Sequence, residues 1–250
     1  MIRLIVLISL ATLLTSNVLA AHLKVAVASN FKSTAQKLAD DFEKNTSHKI
    51  TLVGASTGGL YSLIYHGAPY DIFLSADSER PKKLVEANLA YADSLFTYAV
   101  GQLAFWMPTQ QNLSADNINS HIKQQTGKLA IANPRLAPYG LSAYHYIEKN
   151  RLIDIVKSKL IKGNNVTQVL QFIESGNAQS GFVSYSELLH ASVEEGYVLL
   201  DPASYPSIEQ QGVILRRTKH YQAAQEFLEF MKNNGCEIIL MSGYALAESN

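Results

Sequence analysis

The stretch GASTGGLYSLIYHGAPYDIFLSAD, residues 54–77, predicts a helix that opens on small and hydroxyl-bearing residues, followed by a turn and a short strand. Leu60 and Ile64 lie at helical spacing, while Ser56 and Thr57 occupy the start of the helix. The first N–H groups of a helix have no intrahelical acceptor, and the helix dipole favours negative charge near them. This combination is typical of an anion site that needs no charged side chain.

Strands and helices alternate around this stretch. Residues 23–27 and 49–53 have strand composition, and residues 31–42 carry apolar side chains at helical spacing. With the strand at 71–74 and a helix at 79–88, this part of the chain follows the order β-α-β-α-β-α. Such alternation predicts a parallel sheet flanked by helices.

The apolar run at residues 95–107, interrupted by Gly101, predicts two strands in series with a bend through which the chain passes into a second lobe. Further strands are predicted at 128–132, 181–183, 197–200 and 212–215, and further helices at 114–124, 141–147, 151–160, 166–173, 221–231 and 236–241. The predicted fold class is therefore α/β with two lobes. Residues 21–98 plus 211–250 would form the first lobe and residues 99–210 the second, with a ligand cleft between them.

The first twenty residues predict a cleaved signal peptide. Arg3 precedes the apolar segment 4–14, and small residues at Val18 and Ala20 suit cleavage before Ala21. The apolar segment is shorter than the ~20 residues that a membrane span needs. We therefore expect export without stable membrane insertion, and a retained N-terminal anchor is the alternative.

The composition narrows the function classes. A hydrophobic content of 47% against 17% charged residues predicts a globular protein. The net charge of +0 provides no basic field, which argues against a nucleic-acid partner. Cys236 is the single cysteine, so no intramolecular disulfide can form, and an exported chain of this kind suits a bacterial periplasm.

Several strand-to-helix junctions share hydroxyl or amide groups and lack carboxylates. In open α/β sheets ligands bind beyond the carboxyl ends of the strands, where such junctions lie. A set rich in donors suits a fully deprotonated oxyanion, and each hydrogen bond to a charged partner contributes roughly 1.5–3 kcal/mol. The alternative is that these residues only cap helices, as Ser, Thr and Asn commonly do. The junctions are at residues 29–30, 56–59, 138–140, 164–167 and 184–186.

Enzyme signatures are weak. The 7 histidines show no HExxH spacing and have no cysteine partner for a metal site. Residues 54–58 match G-x-S-x-G, which leaves a hydrolase with Ser56 as nucleophile as an alternative. Arg135 lies near one junction but is expected to be a surface residue. We therefore expect neither catalysis nor a cofactor.

Three sequence pieces carry a family resemblance: Ala55-Ser56-Thr57, Gly67-Ala68-Pro69, and the run from Asp71 to Asp77. With them, the chain resembles the periplasmic molybdate-binding proteins of molybdate ABC transporters. The resemblance implies a type II periplasmic binding fold, in which each lobe is a mostly parallel sheet flanked by helices. It also implies closure on molybdate or tungstate and delivery of the anion to a membrane permease.

The resemblance also implies a ligand set. It assigns anion-binding hydroxyls to Ser29 and Thr57, and anion-binding backbone N–H groups to Tyr139 and Val166. A tyrosine hydroxyl that some members use falls on Ser184, unless Tyr185 replaces it by a one-residue shift. Asn30 also departs from the family pattern, which has an apolar or small residue after the first hydroxyl.

We thus expect a periplasmic, monomeric binding protein. One rival is a binding protein for another tetrahedral oxyanion such as sulfate. Another is the effector domain of a transcription regulator, against which the signal peptide and the lack of a DNA-binding helix-turn-helix argue.

Overall fold

A computed structural model of the protein describes residues 20–246, so all but the last residue of the predicted signal peptide lies outside the described part. The strands, in chain order, are β1 His22–Ala28, β2 Lys49–Ala55, β3 Ile72–Ser75, β4 Phe96–Gly101, β5 Leu103–Trp106, β6 Leu129–Ala132, β7 Leu160–Gly163, β8 Ser180–Ser184, β9 Tyr197–Leu199 and β10 Ile208–Ile214. The α-helices are α1 Lys32–Asn45, α2 Thr57–Tyr65, α3 Glu79–Glu86, α4 Ile118–Gln124, α5 Pro138–Lys149, α6 Ile153–Val156, α7 Val166–Glu174, α8 Tyr185–His190, α9 Tyr221–Asn233 and α10 Cys236–Met241. Single 3-10 turns lie at Ser29–Phe31, Ala92–Ser94 and Pro202–Ser204.

The strands form two sheets of 5 strands each, in the orders β2-β1-β3-β10-β4 and β7-β6-β8-β5-β9. In the first sheet β10 alone runs against its neighbours, since it pairs antiparallel with both β3 and β4. In the second sheet β5 lies between β8 and β9 and pairs antiparallel with both. The prediction of two lobes, each with a mostly parallel sheet, is confirmed, and the antiparallel strand in each is the one that enters from the other lobe.

The chain passes between the two sheets twice, from β4 to β5 and from β9 to β10. β4 and β5 follow each other through Gln102, as the interrupted apolar run predicts. The first sheet takes in β4 as far as Gly101 and β10 from Ile208. The lobe limits at 98 and 211 stay a prediction. A register shift in the pairing of β10 with β4 lies between Gln210 and Gln211.

Each lobe buries its own apolar core. In the first lobe, α1 presents Ala35, Leu38 and Phe42 to the sheet, and all three are buried. These are positions of the apolar face that the helical spacing predicts. In the second lobe, Phe105 and Phe182 pack edge to face with ring centroids 5.3 Å apart.

The prediction of one helix over residues 151–160 is wrong in its second half. The helix α6 covers only Ile153–Val156, and β7 begins at Leu160. β7 pairs parallel with β6 at the edge of the sheet, and most of its residues are only half-buried or exposed. A short edge strand with two apolar residues gives too little periodicity to be separated from a helix.

Among residues 20–246 we find no helix long and apolar enough to cross a membrane.

Candidate functional site

All five candidate positions lie at a junction between a strand and the following helix. They are Ser29, Thr57, Tyr139, Val166 and Ser184. In the first sheet β1, β2 and β3 are parallel, so their carboxyl ends share one edge. In the second sheet the parallel strands β6, β7 and β8 do the same. The two edges face each other across the cleft, since Gly58 N donates to Leu136 O at 2.8 Å and Ser186 Oγ to Asn30 O at 3.1 Å.

Ser29 follows β1 and begins the 3-10 turn that leads into α1. Its side chain is half-buried and lines a cavity of about 510 Å³ in the cleft. The residues that line the cavity also include Asn165 and Thr167 from the start of α7. Ser29 therefore shares this cavity with polar residues of the other lobe.

Thr57 is the first residue of α2 and is almost fully buried. Its Oγ1 accepts a hydrogen bond from Ala76 N at 3.1 Å, which leaves the hydroxyl hydrogen available to a further acceptor. Ser56 is the N-cap and accepts from Gly59 N at 3.3 Å. Ser56 thus caps the helix, which is the alternative to its being the nucleophile of a hydrolase.

Tyr139 stands at the second position of α5, behind Pro138, which has no N–H. The helical hydrogen-bond ladder begins with Leu141 N, which donates to Ala137 O at 3.0 Å, so the N–H groups of Tyr139 and Gly140 precede it. The phenol ring turns away into the core, where Gln210 Nε2 donates to its Oη at 3.4 Å. The backbone N–H of Tyr139 is thus left for another acceptor, and its role as an anion ligand stays a prediction.

Val166 begins α7 in the same manner. The N-cap Asn165 accepts from Gln168 N through Oδ1 at 2.9 Å, while the apolar side chain of Val166 is buried. The first-turn N–H groups of Val166 and Thr167 remain for another acceptor.

Ser184 is fully buried at the end of β8, where it caps α8. Its Oγ lies 2.9 Å from Ser186 Oγ and accepts from Glu187 N at 3.4 Å. Tyr185, the alternative ligand, is half-buried, and its ring lies against Tyr197 with centroids 5.9 Å apart. A ligand role for Ser184 stays a prediction, since its hydroxyl already has these partners.

A buried polar joint beside the candidate ligands was missed by the sequence analysis. Tyr244, from the segment after α10, donates its hydroxyl to Asn30 O at 2.7 Å, and its Oη lies 2.7 Å from Ser186 Oγ. The side chain of Asn30 donates to Gln210 Oε1 at 2.9 Å. Asn30, which departs from the family pattern, thus joins the first lobe, the C-terminal segment and α8.

Removal of the Tyr244 hydroxyl should destabilise the protein. In Tyr244→Phe, the buried carbonyl of Asn30 and the hydroxyl of Ser186 lose a partner, at a cost of ~1–3 kcal/mol. Urea unfolding followed by circular dichroism measures the change. The control is Tyr221→Phe, whose exposed hydroxyl lies 3.4 Å from Asp93 and should matter little; equal stability of the two variants would contradict a structural role for the joint.

Charged side chains lie at the rim and in the wall of the cleft. Lys32 and His190 line the same cavity as Ser29, and so does Glu187, which is buried. Burial lowers the pKa of His190, and the nearby Lys37 lowers it further. Burial raises the pKa of Glu187 to about 7, against the opposing effect of its hydrogen bond from Thr167.

Among residues 20–246, Arg135 forms hydrogen bonds through its backbone, and its guanidinium forms no hydrogen bond or ion pair with a candidate position. It is exposed, and its carbonyl oxygen accepts from Arg80 Nη2 at 3.0 Å across the cleft. Within residues 20–246, no cluster of three or more His, Cys, Asp or Glu side chains could hold a metal ion. The candidate positions themselves are side-chain hydroxyls and helix-start N–H groups, and they come from both lobes.

Known proteins resemble this chain over most of its length. The family model described as bacterial extracellular solute-binding protein matches residues 23–245. The chain is 38% identical to the molybdate-binding protein ModA of Azotobacter vinelandii over 94% of both chains, and 36% identical to that of Rhodobacter capsulatus over 90% of this chain and 88% of the relative. The solved structure of the Azotobacter vinelandii periplasmic molybdate-binding protein superposes with a TM-score of 0.84 at 33% identity, covering 90% of this chain and 100% of that one.

Proposed function

This chain belongs to the bacterial extracellular solute-binding protein family, and we propose that it captures molybdate or tungstate between its lobes in the periplasm and delivers it to an ABC transporter. Its relatives of 38% and 36% identity are molybdate-binding proteins, and the solved relative is periplasmic. The predicted signal peptide supports the same location. We expect it to act as a monomer, with no cofactor and no bond made or broken.

The observation that carries the proposal is the pair of facing strand edges. One lobe contributes the hydroxyls of Ser29 and Thr57, and the other contributes the first-turn N–H groups at Tyr139 and Val166. Ser184 is proposed as a supporting position behind them. Hydrogen bonds to a charged ligand contribute roughly 1.5–3 kcal/mol each, so such a set can offset the desolvation of a dianion without a salt bridge.

Closure is the proposed mechanism. Each lobe holds only part of the donor set, so the anion's oxygens are all satisfied only when the lobes meet. The ligand then shifts the open–closed equilibrium by its difference in affinity for the two forms. The contacts of Gly58 with Leu136 and of Arg80 with Arg135 would form at each closure and break at each release.

Calorimetric titration of the purified protein with molybdate, tungstate, sulfate and phosphate tests the proposal. We expect 1:1 binding of molybdate and tungstate and no measurable heat from phosphate, which carries a proton and needs an acceptor. Tight binding of sulfate with no response to molybdate would instead make it a binding protein for that oxyanion. Absence of binding to all four would refute the proposal.

A further inference from the structure

Glu187 is a buried carboxyl beside the proposed anion site, and the donor set described above does not use it. Only 7% of the residue is exposed. Thr167 donates its hydroxyl to Glu187 Oε1, whereas Oε2 is buried without a hydrogen-bond partner among residues 20–246. The side chain lines the cleft cavity together with Ser29 and Thr167. A buried carboxyl oxygen without a partner is costly, so a proton or a ligand is expected to satisfy it.

The position of Glu187 ties it to two candidate ligand positions. Its carboxyl accepts a hydrogen bond from Thr167, which is the residue after Val166, and its backbone N–H donates to Ser184 Oγ. An anion held at the start of α7 therefore lies next to this carboxyl. A carboxylate there would repel the anion, but a carboxylic acid would offer it one more donor.

The surroundings favour the neutral form of Glu187. Its pKa is raised to about 7 mainly by burial, and Glu174 raises it further. His190 lines the same cavity, and burial together with the nearby Lys37 lowers its pKa. The titratable and charged groups around Glu187 on the packed elements are Glu174, His190, Lys32, Lys37, Tyr139 and Tyr244.

We infer that Glu187 enters the anion complex as a neutral carboxylic acid that donates its O–H into the cleft, so that capture of a dianion takes up one proton. The inference rests on the proposed function, because it needs an anion in the cleft. The proton comes from solvent and ends on a Glu187 oxygen, while the anion stays fully deprotonated.

The sign of the pH effect follows from this proton uptake. The bound form holds the proton more tightly than the free form, so the Kd rises with pH once free Glu187 has lost its proton. One linked proton corresponds to about a ten-fold weaker binding per pH unit, and the Kd levels off in more acidic solution.

Molybdate titrations of the purified protein between pH 5.5 and pH 9, a range of roughly two units about the carboxyl's midpoint, test the inference. Each titration is run in two buffers of different ionisation enthalpy, which counts the protons taken up. We expect about one proton per anion at the alkaline end in the unmodified protein, consistent with a single linked group. Glu187→Gln keeps a neutral donor and should bind with a Kd that no longer depends on pH. His190→Gln, which removes another titratable side chain of the cavity, should keep the slope of the unmodified protein.

The outcomes separate this inference from the proposed function. Molybdate binding with no proton uptake, or a slope that survives in Glu187→Gln and vanishes in His190→Gln, would overturn the role of Glu187 and leave the function standing. Failure of the unmodified protein to bind any oxyanion would overturn both. Circular dichroism shows whether Glu187→Gln folds. If it does not, the proton count of the unmodified protein still tests the inference, because binding without proton uptake would overturn it.

Discussion

Thr57→Ala should weaken molybdate binding about 10- to 100-fold, which corresponds to the roughly 1.5–3 kcal/mol of one hydrogen bond to a charged ligand. Thr57 is buried at the facing edges of the lobes, and its oxygen already accepts from Ala76 N–H, so its hydrogen is available to a further acceptor. Calorimetric titration of the variant gives the Kd. Ser29→Ala should weaken binding for the same reason, though Ser29 is less buried.

Two controls separate the hydroxyl from general damage. Thr57→Ser keeps the hydroxyl and should bind nearly as tightly as the unmodified protein. Arg135→Ala removes an exposed cation near α5 and should hardly change the Kd. Loss of binding in Arg135→Ala together with full binding in Thr57→Ala would show that charge, and not the donor set, holds the anion.

Gly140→Ala should both lower the melting temperature and impair anion binding. An added Cβ would lie 2.2 Å from the carbonyl oxygen of Ala132 and 2.6 Å from its carbonyl carbon. Both are backbone atoms of β6, so they cannot move without displacing the strand. Overpacking of this kind costs ~1–3 kcal/mol, occasionally more. For a chain of this size, we expect a fall in Tm of ~2–10 °C. The N-terminus of α5 must shift, and with it the N–H of Tyr139.

Thermal unfolding and molybdate titration of Gly140→Ala measure the two effects. Leu141→Ala is the matched control, since it changes the next residue of the same helix, whose side chain is 42% exposed. We expect it to alter neither quantity much. A Gly140→Ala protein as stable as that control would mean that α5 and β6 are less closely packed than the structure shows.

The sequence analysis predicted most of the fold because the chain has strong periodicity where its elements are long. The buried face of α1 and the two strands on either side of Gln102 follow directly from their apolar spacing. It failed at β7, which is short and lies at an edge, and at the start of β10. β10 contains Gln210, a fully buried polar residue that periodicity assigns to a loop, although Asn30 pairs with it.

The candidate site was predictable only in part, for a different reason. Junction residues such as Thr57 and Val166 can be identified from helix-start residue types, which are local in sequence. Tyr244 and Glu187 do not, because their roles depend on contacts between distant segments. Tyr244 meets Asn30 across 214 positions of the chain, and the link between Glu187 and Thr167 joins two helices.

The position of molybdenum in crystals grown with molybdate tests the central claim most directly. Anomalous scattering locates the metal atom without assumptions about the protein. We predict one peak between the starts of α2 and α7, with anion oxygens ~2.7–3.2 Å from Thr57 Oγ1, Tyr139 N and Val166 N. A peak beside Lys32 or Arg135, with no oxygen in reach of those three atoms, would contradict a site built from hydrogen-bond donors of both lobes.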